Sequence, residues 1–436
     1  MGFFDDLFNR SSEKAESIKL GRFSDAYKPT THQKLWEESL LAFEAEKYTE
    51  SIVFLMEFLK NPGHKNLEWS QDEEAVNFEL FQGSKVLTGR MDKQQFRSEV
   101  KIAKTTALNI GLSRKLLERN YLLKYSRFGL DDEGHILLVF NSYTVDASPN
   151  KIYQGLKEMA TQADKLDDLI LDEFQDLTAI NIDHILPRQE ERKEREYQYL
   201  ISELKKCFHE IEHGKLNIDQ FPGGLSFLLL ALNYKLDYLL TPEGFLMDNL
   251  EHNHKSYFGN MDREVGYRNN VFLRSFRKIL ERDKEDIKGE FYDVVSTFGL
   301  PAPSPHATLV QLIHNELPNM QWYKDNNHTA IALAIPYYIV GYCLFSYALP
   351  KPDMELLDLF YRILEEDYFK DSAYSSGGKL VARSIKKEVE RIEDTYQKIF
   401  PSLRIDAASL DFKTTVGFAE SYLLMMKNMN LNGADR

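Results

Sequence analysis

The hydrophobic period of this chain mixes two with three-to-four in its first part and stays at three-to-four beyond residue 197, and that difference limits the folds open to it. In the first part, apolar and polar residues alternate: Val76, Phe78 and Leu80 around Asn77 and Glu79, then Phe96, Val100 and Ile102 around Arg97, Glu99 and Lys101. Such alternation requires strands with one buried and one solvated face, which is the signature of an antiparallel sheet. Beyond residue 197 apolar residues recur at three- and four-residue intervals instead, and no convincing period-two segment follows. The expected class is an α+β N-terminal domain, an antiparallel sheet with flanking helices, followed by an all-α C-terminal domain.

The order of elements can be read in more detail. Residues 31–60 form a helical run that stops at Asn61-Pro62-Gly63, and the charged stretch Glu44-Ala45-Glu46-Lys47 is placed to kink it into a pair. Strands follow at 76–80, at 85–88 after a Gly83-Ser84 turn, and at 96–102, then a helix at 108–120. Segments 122–130 and 135–143 make a hairpin about Asp131-Asp132-Glu133-Gly134. Ser148 and Pro149 then open a long helix, as N-cap and first-turn proline, with a seam of Ile152, Leu156, Met159, Ala163, Leu166 and Ile170. Helical runs are expected at 197–213, 225–240, 270–287, 291–298, 307–315, 330–349, 354–369, 380–400 and 415–429. The predicted division is a tail at 1–30, the α+β domain at 31–180, a charged linker or helix start at 181–196, and the all-α domain at 197–436.

Charge and cysteine usage narrow the function classes. Lys and Arg number 54 against 68 Asp and Glu, a formal net charge of −14, so the average field repels a phosphate backbone and nucleic acid is not an expected partner. Cys207 and Cys343 are far apart and form no disulfide framework, which suits a reducing, cytoplasmic setting. The first residues, Met1-Gly2-Phe3-Phe4-Asp5-Asp6-Leu7-Phe8, lack the basic and apolar regions of a signal peptide, and Asp6 stands where a myristoylation signal wants Ser or Thr. Segment 329–349 has no charged side chain and is long enough for a bilayer span. Pro336 at its middle, Tyr337, Tyr338, Tyr342 and Tyr347, and the lack of flanking basic clusters favour a helix buried in protein, so no membrane span is expected. A membrane-associated scaffold using this segment is one alternative reading.

The sharpest chemical motif is His209-Glu210-Ile211-Glu212-His213, which satisfies H-E-x-x-H. On a helix the two imidazoles lie on one face, where they can bind one zinc while Glu210 acts as base, with Glu243, Glu251, His252 or His254 as candidate third ligand. A zinc-dependent hydrolase is therefore the first alternative, ahead of the membrane-associated scaffold. Glu212 at a position usually uncharged, and Gly214 ending the helix at once, weigh against it, and a histidine at a helix C-terminus has a plain dipole rationale. The other motifs read more plainly as structure. The acidic 131–134 turn lacks calcium-loop spacing, and Ser375-Ser376-Gly377-Gly378-Lys379 lacks a P-loop. Cys207 lies about 200° around a helix from His209. No catalytic residue and no cofactor is assigned.

One stretch carries a family likeness: Leu116-Leu117-Glu118-Arg119-Asn120-Tyr121-Leu122-Leu123-Lys124-Tyr125-Ser126-Arg127-Phe128-Gly129-Leu130-Asp131-Asp132-Glu133-Gly134-His135-Ile136-Leu137-Leu138. A helix running into a strand, an acidic-Gly hairpin and an apolar return strand, with Ala163-Asp164-Lys165-Leu166-Asp167-Asp168 near the end of the last helix, resembles the type III secretion chaperone-like fold and its YbjN-like branch over about residues 31–175. The resemblance implies a small, usually dimer-forming module that holds an extended segment of another protein, with no shared catalytic residues. Two departures stand beside it: this chain continues far past the module, and no companion substrate is visible. Independently of the likeness, an edge strand with free backbone groups can accept an added strand. The expected function is non-catalytic protein or peptide binding, chaperone- or adaptor-like, with self-association as a further expectation.

Overall fold

The computed structural model describes residues 21, 28, 30–61, 65–107, 109–174, 176–180, 185–217, 220–294, 302–369 and 373–431. The tail expected at 1–30 lies almost wholly outside the described residues. Helices α1 (Thr30–Glu44) and α2 (Tyr48–Leu59) are joined by a turn in which Glu46 adopts φ 59°. Their crossing is tied by reciprocal hydroxyl-to-carbonyl bonds, Ser39 Oγ to Ser51 O at 2.7 Å and Ser51 Oγ to Ser39 O at 2.8 Å. The kink expected at Glu44-Lys47 is thus a complete turn.

The sheet follows: β1 (Leu67–Gln71), β2 (Val76–Gln82), β3 (Lys85–Met91), β4 (Gln95–Thr105), then α3 (Ile110–Leu122), β5 (Arg127–Leu130), β6 (His135–Tyr143), α4 (Pro149–Glu173) and β7 (Leu177–Ala179). All pairings are antiparallel, in the order β1-β2-β3-β4-β6-β5 with β7 against the end of β4. The pleat sends Val76, Phe78, Leu80, Leu87, Met91, Phe96, Val100, Leu138 and Phe140 to one face, where they join the α2 and α4 seams in a single core. Gly89 is required there, because a Cβ at that position would run into the Phe78 ring.

The helical half comprises β8 (Ile185–Pro187), α5 (Glu190–His213), α6 (Pro222–Leu240), α7 (Gly244–Gly259), α8 (Val265–Glu281), α9 (Lys284–Gly289), β9 (Tyr292–Val294), α10 (His306–Glu316), α11 (Met320–Asp325), α12 (Thr329–Ser346), α13 (Lys351–Leu364), α14 (Ala382–Tyr396) and α15 (Thr415–Lys427). It holds a second core, from Tyr199 to Met429. At its centre α12, the one described helix long and apolar enough to cross a membrane, has 67% of its residues buried and packs on α6. The strandless expectation for this half needs amending only for short bridges, including β8 with β9.

Several local expectations are corrected. Strand β1 and helix α7 were not foreseen. Residues 270–287 are not one helix but α8 and α9, parted at Arg282-Asp283, where the Asp283 side chain caps the Glu285 N–H at 2.8 Å. The helix expected at 291–298 is instead strand β9 over its described part, since Tyr292 and Val294 suit a bridge to β8 better than a helical turn. The strand expected from residue 122 begins only at Arg127, because α3 runs on to Leu122. Within the charged stretch 188–196, helix α5 begins at Glu190, and the two end residues Arg188 and Glu196 are 6% and 1% exposed while those between are exposed or half-buried.

Candidate functional site

The face of the sheet opposite the core is open. Glu68, Ser70, Glu79, Thr88, Arg90, Arg97 and Asn141 are exposed on it, and the helical half meets this module through α4 and α7 instead. Strand twist makes the β1–β4 part of this face concave, a groove of about 800 Å³ lined among others by Glu68, Ser70, Asn77, Glu79, Arg90 and Arg97. Register sets its charge in rows. Glu68 stands opposite Glu79, Glu79 opposite Thr88 and Thr88 opposite Glu99, while Ser70, Asn77, Arg90, Arg97 and Asn141 form the next row. Two acids directly across a strand pair repel one another. Lys65, 3.1 Å from Glu68, partly offsets this, and Arg97 pairs with Glu99 at 2.9 Å.

The two rims of the sheet differ. At β5, the Asn120 side chain of α3 accepts the Phe128 N–H at 2.6 Å and donates to the Phe128 carbonyl at 3.2 Å, occupying the place of a neighbouring strand. The approach to β5 is fixed by Glu158 on α4, which accepts from the N–H groups of Lys124, Tyr125 and Ser126 and from Ser126 Oγ. At β1, the Phe81 N–H bonds the Asn66 carbonyl and the Asp72 N–H bonds the Ala75 carbonyl, so even-numbered residues face β2. Leu67, Trp69 and Gln71 therefore turn their N–H and C=O groups outward, where no described strand pairs with them. The Trp69 indole is fixed beside this rim by a 2.7 Å bond to Glu57 on α2.

The sequence motifs fall elsewhere. His209 and His213 share one face of the last turn of α5, ring centroids 4.7 Å apart, and both are exposed. None of the candidate third ligands joins them. Glu243 is buried before α7, Glu251 pairs with Lys165 and Lys255, His252 bonds Ser256 at 3.1 Å and His254 bonds Tyr234 at 2.7 Å. Among the described residues, the one group of three His, Cys, Asp or Glu side chains with ligand atoms within 4.8 Å of each other is Asp131, Glu133 and His135. There Asp131 already takes the His135 ring nitrogen at 2.8 Å, and the Lys101 ammonium stands 3.3 Å from the same nitrogen, which opposes a cation. The Gly377 and Gly378 amides, considered for an anion, are held by the Glu366 carboxylate at 3.1 Å each. Burial pushes the Cys207 thiol up to about 12 despite Lys235 nearby, and burial also raises Cys343, so neither is a ready nucleophile. Sequence reasoning foresaw an edge on the sheet but not that β1 supplies it, since Leu67-Glu68-Trp69-Ser70-Gln71 is a short, mostly polar alternation.

No protein-family model matches the chain, and no curated protein matches it either.

Proposed function

We propose that this chain is a non-catalytic binding module that takes an extended segment of another protein as an added strand along β1. The outward N–H and C=O groups of Leu67, Trp69 and Gln71 carry this reading, because an incoming backbone can satisfy them at no cost in existing pairing. Specificity follows from charge. A residue laid opposite Glu68 extends the Glu68–Glu79–Thr88–Glu99 row, so a basic side chain is favoured there and an acidic one opposed. The resemblance of the α+β half to segment-holding chaperones supports the same reading, and the two unpaired cysteines suit a cytoplasmic setting.

The test is a fluorescence-anisotropy titration of the full chain with a labelled decapeptide alternating valine and lysine. Gln71→Pro removes an outward N–H without touching the β2 ladder, and Glu68→Lys reverses the charge at the row's outermost position. Each is expected to weaken binding by roughly fivefold or more with circular dichroism unchanged. Equal affinity for the parent and both variants, or no binding by the parent, overturns the proposal.

A further inference from the structure

The open face of the sheet carries two repulsive pairs that the fold does not need. Glu68 stands directly opposite Glu79 between β1 and β2, and Arg90 directly opposite Arg97 between β3 and β4. Like charges facing one another across a strand pair weaken it. Their neighbours relieve this only in part: Lys65 reaches Glu68 at 3.1 Å, Arg97 reaches Glu99 at 2.9 Å, and Arg90 reaches the exposed Glu74 at 3.4 Å. All four side chains are exposed and line the same groove, with the smaller Asn77 and Thr88 between the pairs.

We infer that this face receives an α-helix of another protein, with basic residues over Glu68 and Glu79 and acidic residues over Arg90 and Arg97. The inference goes beyond strand addition at β1 and does not depend on it, since it uses side chains of the face rather than backbone groups of the rim. Register gives the spacing. The centre of the arginine pair lies two strands and one side-chain row from the centre of the glutamate pair, about 12 Å on the diagonal. On a straight helix, side chains seven residues apart lie about 10.5 Å along the axis and within about 20° of one face. A helix also satisfies its own backbone groups, whereas an extended segment laid across this face would meet side chains and no ladder to join. The occupant therefore carries two basic residues one turn apart and, seven residues on, two acidic ones. Each meets an opposite charge, and both repulsive pairs are relieved together. A uniformly basic or uniformly acidic helix would relieve one pair and aggravate the other, so it is rejected. A contact of this kind is salt-dependent, with dissociation expected at roughly tens of micromolar.

Fluorescence anisotropy of the full chain with labelled, alanine-rich helical peptides of roughly 20 residues tests this. One peptide carries Lys, Lys, Glu and Glu at successive separations of four, three and four residues, and a second holds the same residues in shuffled order. The first should bind roughly tenfold more tightly at low salt and lose that advantage as salt rises. The double variant Arg90→Glu/Arg97→Glu should lose the first peptide, with circular dichroism unchanged, and bind instead one in which both Glu are replaced by Lys. Gln71→Pro, which blocks the rim, should leave these results unchanged, so failure here and failure of strand addition are read separately. Equal binding of the ordered and shuffled peptides, or no binding by the parent, overturns the inference. So does a double variant that still prefers the first peptide.

Discussion

His254 is an imidazole kept neutral by its surroundings. It sits among Tyr234, Phe258, Tyr342 and Phe345, and burial, with a smaller contribution from Lys255, lowers its pKa from 6.5 to about 4. The unfolded chain therefore binds a proton at this residue from about pH 6.5 downward, while the folded chain resists until about pH 4. Falling pH in that window favours unfolding, by about 2 kcal/mol once the ring's remaining solvent contact is allowed for. Chemical denaturation at pH 7 and pH 4.5 should show the loss, and His254→Gln should flatten the pH dependence. Glu158 works in the opposite sense. Burial alone would raise its carboxyl, but the N–H groups of Lys124, Ser126 and Tyr125 together hold it below the ordinary 4.5. Its contribution is complete above that value and fades as pH falls through the lowered one.

At the level of elements, Glu158 is what converts the end of α3 into the start of β5. Glu158→Ala leaves three N–H groups without their acceptor and should cost about 2 kcal/mol, read as a shift in denaturation midpoint, with faster amide exchange at 124–128. This clamp explains why the α3–β5 boundary was not legible in the sequence. Leu122 and Leu123 look like the beginning of an apolar strand, and only a carboxylate more than thirty residues away fixes the turn after them. The long helix α4 was readable because its cap, proline and seam agree with one another. Helix α7 was hidden for the converse reason: it buries Glu251 and Asn253, and a helix whose inner face carries polar groups leaves no clean apolar stripe. The H-E-x-x-H spacing did place two imidazoles on one face, as geometry requires. The missing ligand depends on how α5 and α7 pack, which local sequence does not encode.

For the molecule as a whole, the two cores meet through few elements, chiefly α4 against α7 with the Lys165–Glu251 pair between them. The helical half is fastened internally by Arg188, which donates to Glu196 at 2.9 Å, to Asp293 at 2.7 Å and to the Leu240 carbonyl at 2.7 Å, so joining α5, β9 and the end of α6. Arg188→Met strands two carboxylates that Arg192 only partly compensates, and should cost about 3 kcal/mol. Hydrogen exchange is expected to report that loss within α5, α6 and β9 while β2, β3 and β4 keep their protection. Uniform loss over both halves would mean that the cores unfold as one unit.

The Asn120 amide has a consequence for growth. A pleated layer with two live margins can recruit copies of itself without limit and become a fibre. Here one margin is plugged by a single carboxamide on Phe128, so two copies meeting margin to margin along β1 would carry a plugged margin at each outer end. Copies of the chain can therefore join such a layer only in pairs, not as a fibre.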